Sequence, residues 1–186
     1  DRHDSRDAGA GSRDVTLECC CHCVLIEIRK TGFINKGAQL MLRATMQAIL
    51  TRIPSARFTM TPSSSDGDQP ISSIASEGLT AKLSVERAGL ELGNLVRLVP
   101  SRLRSRYGVA LDREVDVVLD AAGFCYGAPW PSTNLAALAA ASRRWRRQGT
   151  KLILLPQSFG DFTDLSDRAL MQRIGENCTH IFVRDD

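Results

Sequence analysis

The sequence predicts an α/β fold built on a mainly parallel β-sheet, and three observations carry that reading. Short apolar runs such as Val24-Leu25-Ile26 and Leu152-Ile153-Leu154 have the composition of strands buried on both faces. Longer stretches between them repeat their polar positions every three or four residues, as an amphipathic helix does. The first strand, helix and second strand follow one another closely enough to form a crossover unit, which favours parallel pairing.

Taken in order, residues 1–20 are expected to form a disordered leader, because acidic, basic and small residues alternate there with few apolar anchors. Residues 21–186 are expected to form one folded domain. Cys23 to Ile28 reads as the first strand. Lys36 to Ile53 reads as a helix: Lys36, Gln39, Arg43, Gln47 and Thr51 mark one face, and Ala38, Leu42, Met46, Ile49 and Ile53 the other. Asn35 suits its N-cap and Pro54 its stop. Arg57 to Met60 is a second strand, and Pro62 to Pro70 is a loop on composition. From Ile71 to Arg113 the pattern weakens, with short helices expected at Val85 to Leu92 and Ser101 to Tyr107. A strand follows at Val115 to Leu119, then a loop from Ala121 to Pro131. A helix from Asn134 to Gln148 ends in basic residues and Gly149, which suits both the helix dipole and a left-handed cap. Lys151 to Leu155 is a strand ended by Pro156, Leu165 to Asn177 a helix capped by Asp164, and His180 to Val183 a last strand.

Composition excludes several classes of function. The 186 residues include 24 Lys and Arg against 21 Asp and Glu, a net charge of +3 that gives no reason to expect a nucleic-acid partner. The basic run Arg143 to Arg147 is expected to be a solvated helix end with Trp145 turned inward. No apolar stretch approaches the roughly 20 residues that span a bilayer, so no membrane span is expected, and peripheral association stays open. Six cysteines without even spacing, and no apolar leader with a cleavage site, point to reduced thiols and a cytoplasmic protein. Cys20, Cys21, His22 and Cys23 alternate faces in an extended segment and cannot readily close a tetrahedral zinc site, so no metal is expected. The three histidines give no Ser-His-Asp arrangement.

The informative feature is a set of four clusters, each beginning where an apolar strand ends: Thr31 to Gly37, Asp120 to Phe124, Gln157 to Gly160, and Arg184 to Asp186. In a parallel sheet all carboxyl ends lie along one edge, and ligands of open α/β sheets bind in the crevice outside them. Asn35, Lys36 and Gly37 open a helix whose free N–H groups favour an anion; the same residues also serve simply as a cap. Gly123 leaves room for a ligand behind Asp120, whose alternative is a turn residue. Gln157 and Ser158 can bond sugar hydroxyls or stabilise their turn. Arg184 suits a carboxylate or phosphate, or a salt bridge to Asp185. Neither a Walker-type phosphate loop nor a dinucleotide fingerprint is present, so no nucleotide cofactor is indicated.

At these clusters the sequence resembles the polysaccharide pyruvyl transferase family. The resemblance rests on Asn35-Lys36-Gly37-Ala38-Gln39-Leu40-Met41-Leu42, on Asp116 to Phe124 with Tyr126-Gly127 behind it, on Leu154 to Gly160, and on Ile181 to Asp185. It implies the N-terminal, Rossmann-like half of a two-domain architecture similar to B-type glycosyltransferases, with the second domain absent from this chain and the chain alone inactive. It further implies transfer of a pyruvyl group from phosphoenolpyruvate, as donor substrate rather than cofactor, to two hydroxyls of a glycan or lipid-linked saccharide in cell-surface or exopolysaccharide synthesis. Under that resemblance Asp120 would activate a hydroxyl and Arg184 contact the anion. Asn35, Lys36, Gly37, Gly123, Phe124, Tyr126, Gln157 and Ser158 would shape the acceptor side. Ala121-Ala122-Gly123 replaces a Gly-rich triplet, and Asp161 stands where Pro is common. A nucleotide-sugar glycosyltransferase, or a carbohydrate-binding domain without chemistry, would use the same scaffold. The oligomeric state is not legible in the sequence.

Overall fold

A computed structural model describes residues 23–62, 69–83, 86–87, 90–91 and 99–184. The elements are β1 (Leu25–Arg29), α1 (Lys36–Arg52), β2 (Arg57–Met60), α2 (Ile71–Ser76), β3 (Thr80–Leu83), β4 (Glu86–Arg87), β5 (Leu90–Glu91), α3 (Ser101–Arg106) and β6 (Val109–Leu111). A 3-10 turn at Asp112–Glu114 then leads to β7 (Val117–Asp120), α4 (Ser132–Gln148), β8 (Lys151–Gln157), α5 (Leu165–Asn177) and β9 (His180–Val183). Seven strands form one sheet in the order β6-β3-β2-β1-β7-β8-β9, parallel throughout, and β4 and β5 pair antiparallel apart from it. The arrangement is Rossmann-like, as the alternation of strands and helices predicts. The chain works outward from β1 to β6, then returns to lay β7 against the other side of β1. That reversal makes the β1/β7 junction the topological switch point.

Local chemistry sets the boundaries. The Asn35 side chain accepts hydrogen bonds from the N–H groups of Gly37 at 2.9 Å and Ala38 at 3.4 Å, so the predicted N-cap is in place at α1. Gly149 closes α4 at φ 83°, the left-handed conformation that its missing Cβ permits. Asp164 precedes α5 as expected but makes no side-chain cap bond; its carbonyl accepts from the Arg168 N–H instead.

Several predicted bounds fail: β7 is Val117–Asp120 rather than Val115 to Leu119, with Val115 following the 3-10 turn, and α4 starts at Ser132, directly after Pro131, rather than at Asn134. β8 runs through Pro156 to Gln157, because a register shift against β9 between Leu154 and Gln157 accommodates the residue that cannot donate. The helix expected at Val85 to Leu92 is contradicted at residues 86–87 and 90–91, which are extended; the rest of that stretch lies outside the described residues. The first strand begins at Leu25 rather than Cys23, where the Leu25 N–H meets the Asp116 carboxylate at 2.8 Å. The expected leader, Cys20 to His22, most of the loop after Pro62, and Asp185 and Asp186 also lie outside the described residues.

Each face of the sheet has its own core. Ile26, Ile28, Phe58 and Met60 pack against Leu42 of α1 and Ile74 of α2. Val118, Leu152 and Leu154 pack on the other face against Leu135, Leu138 and Trp145 of α4 and Ile174 of α5. Trp145 is 1% exposed, so the basic end of α4 turns its one apolar side chain inward as its sequence predicts. Among the described residues no helix is long and apolar enough to cross a membrane.

Candidate active site at the carboxyl edge of the sheet

The carboxyl ends of β1, β7, β8 and β9 share one edge, and a cleft of about 1150 Å³ opens there. Asn35 and Gly37 after β1, Gly123 and Phe124 after β7, and Arg184 after β9 all line it. Residues from three of the four predicted clusters therefore meet in one space. At the switch point Lys30 leaves β1 with φ 60°, a left-handed conformation that costs a side-chain-bearing residue about 1–2 kcal/mol. Strain of this kind persists where surrounding structure fixes it, and Lys30 is exposed on the cleft wall.

Beneath the cleft floor Asp120 is fully buried and surrounded by donors. It accepts from the Ala122 N–H at 3.1 Å, the Tyr126 hydroxyl at 2.8 Å and the Gln157 amide at 3.3 Å, and Arg29 lies 3.5 Å away. The Gln157 amide also donates to the Asp120 carbonyl at 3.1 Å, while its own oxygen finds no partner among the described residues. Burial, with the Asp120 charge beside it, raises the Tyr126 phenol far above its ordinary value, so Tyr126 stays protonated as the donor. Burial likewise pushes the Cys178 thiol up to about 12 and raises Cys125, which keeps both neutral and unsuited to act as nucleophiles.

A second polar row crosses the same face of the sheet. Lys82 on β3, 3% exposed, bridges Glu27 of β1 and Asp112, each at 2.7 Å. Thr61 donates to the other Glu27 oxygen at 3.2 Å, and Arg144 of α4 bonds Asp112 at 3.1 Å. Arg29 and Arg144 both approach the Trp145 ring, with guanidinium carbons 5.1 and 5.7 Å from its centroid. Burial alone would raise the Asp112 carboxyl, but the Lys82 and Arg144 charges and hydrogen bonds outweigh it and hold the group below the usual carboxylate range. A depressed native pKa contributes stability that is complete above the unfolded value, about pH 4, and is lost as pH falls through the native one. The melting temperature should therefore fall below about pH 4, and Asp112→Asn should flatten that part of a thermal-melt series.

The loops after β7 and β8 are laced together over this base. The Ser158 N–H donates to the Gly123 carbonyl at 2.7 Å, Gly160 to Tyr126 at 2.9 Å and Ala128 to Asp161 at 3.0 Å. A Cβ on Gly160 would lie 1.9 Å from the Ala128 carbonyl oxygen, so only glycine allows the contact. Gly160→Ala should cost roughly 1–3 kcal/mol, or a fall of about 2–9 °C in melting temperature, measured by calorimetry.

The predicted residues thus fall into two layers. Asn35, Gly37, Gly123, Phe124 and Arg184 face the cleft, whereas Asp120, Tyr126 and Gln157 are buried under it. Lys36 is exposed at the start of α1, its ammonium 3.3 Å from Gln39, and Ser158 is half-buried in the laced loops. Sequence reasoning missed Glu27, Arg29, Lys30, Lys82 and Arg144, all of which line the cleft. One signal was available: Glu27 is a lone acid inside the apolar run from Val24 to Ile28, which calls for a buried cationic partner. Among the described residues no group of three or more His, Cys, Asp or Glu is placed to hold a metal ion.

No curated protein matches the chain. A model of the family described as polysaccharide pyruvyl transferase matches residues 35–186, which takes in the last three clusters, the first from Asn35 onward, and every strand of the seven-stranded sheet except β1. The chain therefore belongs to the polysaccharide pyruvyl transferase family, whose members transfer pyruvyl groups in polysaccharide biosynthesis.

Proposed function

We propose that the protein takes its pyruvyl group from phosphoenolpyruvate and places it on two hydroxyls of a glycan or lipid-linked saccharide, in the cytoplasm, during synthesis of a cell-surface polysaccharide or exopolysaccharide. In this reading one hydroxyl adds to C2 of the enol phosphate as C3 takes a proton and becomes a methyl group. The second hydroxyl then forms the other C–O bond as phosphate leaves, carrying the remaining proton and giving a cyclic ketal.

The observation that supports an anionic donor is the charge of the cleft. Five of its described lining residues are cationic, Arg29, Lys30, Lys82, Arg144 and Arg184; Glu27 in the lining and Asp112 and Asp120 behind it pair with Lys82, Arg144 and Arg29, which leaves an excess of two positive charges among these groups. Such a wall suits a substrate bearing both carboxylate and phosphate. Arg184 and Lys30 are assigned to the donor, and Asn35, Lys36, Gly37, Gly123, Phe124 and Ser158 to the acceptor side. Glu27, the one carboxylate among the described lining residues, acts by holding Lys82 on the cleft wall. Asp120, which its donors enclose, acts by fixing Arg29, Tyr126 and Gln157.

The test is incubation of the protein with phosphoenolpyruvate and a panel of glycan acceptors, following phosphate release and the ketal methyl signal by NMR. Equimolar phosphate and ketal are expected. Release of a nucleoside diphosphate from a nucleotide sugar would replace this reading with glycosyl transfer, and saccharide binding without turnover of either donor would replace it with a binding domain.

A further inference from the structure

Phe124 and Trp130 stand together on the loop between β7 and α4. They are 54% and 42% exposed, their ring centroids are 5.5 Å apart, and their planes are tilted by 50°. The chain has only ten aromatic residues, so two neighbouring rings left in water call for a reason. Their loop is held in place. Tyr126, between them, is 1% exposed and anchored on Asp120; the Trp130 N–H donates to the Gly127 carbonyl at 2.9 Å, and Ala128 bonds Asp161. Phe124 also lines the cleft, so the pair runs from the cleft wall outward.

We propose that Phe124 and Trp130 form a stacking platform for the acceptor saccharide, with the reacting sugar over Phe124 and the next sugar of the chain over Trp130. The proposal rests on the pyruvyl-transfer reading only in naming the saccharide as acceptor. A pyranose presents C–H groups on its faces and hydroxyls around its rim. Stacking takes the faces out of water against the negative face of an aromatic ring and leaves the hydroxyls to polar groups such as Asn35. The tilt makes two walls rather than one slab, and their separation is on the scale of successive sugar rings. The platform therefore selects an oligosaccharide over a monosaccharide. A protein partner fits less well, because a stable interface needs about 800 Å² on each side, whereas a whole aromatic side chain buries only about 150–250 Å², and these two are half-covered already. A loop already fixed in place loses little entropy on binding.

Trp130 provides the probe, since the other tryptophan, Trp145, is buried. Lactose, cellobiose and chitobiose, added to the full chain, are expected to shield Trp130 from iodide quenching with at least one dissociation constant on the order of millimolar. The matching monosaccharides should bind several-fold more weakly, and Phe124→Ala should weaken the disaccharide effect. In the pyruvyl-transfer assay Trp130→Ala should raise the acceptor KM about tenfold, leaving kcat within about twofold, and Trp130→Phe should restore most of the loss. No shielding by any of the three disaccharides, an unchanged acceptor KM in Trp130→Ala, or a dimer that Trp130→Ala dissociates would overturn the platform. Shielding without ketal formation would remove the pyruvyl-transfer reading and keep the platform; ketal formation with Trp130 unshielded would do the reverse.

Discussion

Asp120→Ala is expected to destabilise the protein by roughly 3–5 kcal/mol and to dismantle the base of the cleft. The substitution leaves the Tyr126 hydroxyl, the Ala122 N–H and the Gln157 amide without the carboxylate they share, and it leaves Arg29 without its charge partner. Each buried polar group stranded in this way costs about 1–3 kcal/mol, and their proximity makes the costs less than additive. Urea unfolding measures the loss. Asp120→Asn separates the two roles that this residue can have, because the amide keeps the shape and some of the hydrogen bonds. A folded Asp120→Asn protein that turns over normally would confine Asp120 to holding its neighbours. A folded protein with kcat reduced by orders of magnitude would return it to the proton transfers.

Lys82→Ala should have an effect of similar size, about 3–5 kcal/mol at neutral pH, because it leaves two buried carboxylates facing a cavity with their shared cation gone. Glu27 is 2% exposed and Asp112 8%, so neither can turn to water instead. Lys82→Met should recover the lost packing but not the lost charge, and so only a minor part of the stability. The pH dependence identifies the cause. In the variant Asp112 loses the Lys82 charge that holds its buried carboxyl down and gains by taking up a proton, so the deficit relative to wild type should shrink as pH falls from 7 towards 4.5. A deficit constant over that range would assign the effect to the cavity alone.

The order of strands and helices was legible because each strand of the α/β core is a short apolar run and each long helix carries its own caps. α5 and β9 occur with the bounds the sequence implies, and α1 differs by one residue. In the region from Ile71 to Arg113 only α3 was legible, matching the helix expected at Ser101 to Tyr107 to within one residue. Its other elements, α2, β3, β4, β5 and β6, are only two to six residues long, too short for either period to show. β3 also carries Lys82, a charge in a strand interior that a pattern of apolar residues discards. The same short elements explain why half of the site was hidden. Parallel topology brings residues at strand ends to one edge, so Asn35, Gly123 and Arg184 could be placed from sequence. Glu27, Lys82, Asp112 and Arg144 come together only through register across β3, β2 and β1 and the docking of α4, which no local spacing encodes. Gly160 reads as one more turn glycine until the Ala128 carbonyl is found against it.

The strand order also governs how the molecule acquires its shape. β1, α1 and β2 are sequence neighbours and can assemble through nearby contacts, but β1 must wait for β7, and the bond from Leu25 to Asp116 spans 91 residues. Closing so long a loop is entropically costly and slows the step that depends on it. In refolding, helix content should therefore return before saccharide shielding of Trp130, since the crevice has no walls until the two halves of the sheet have found each other.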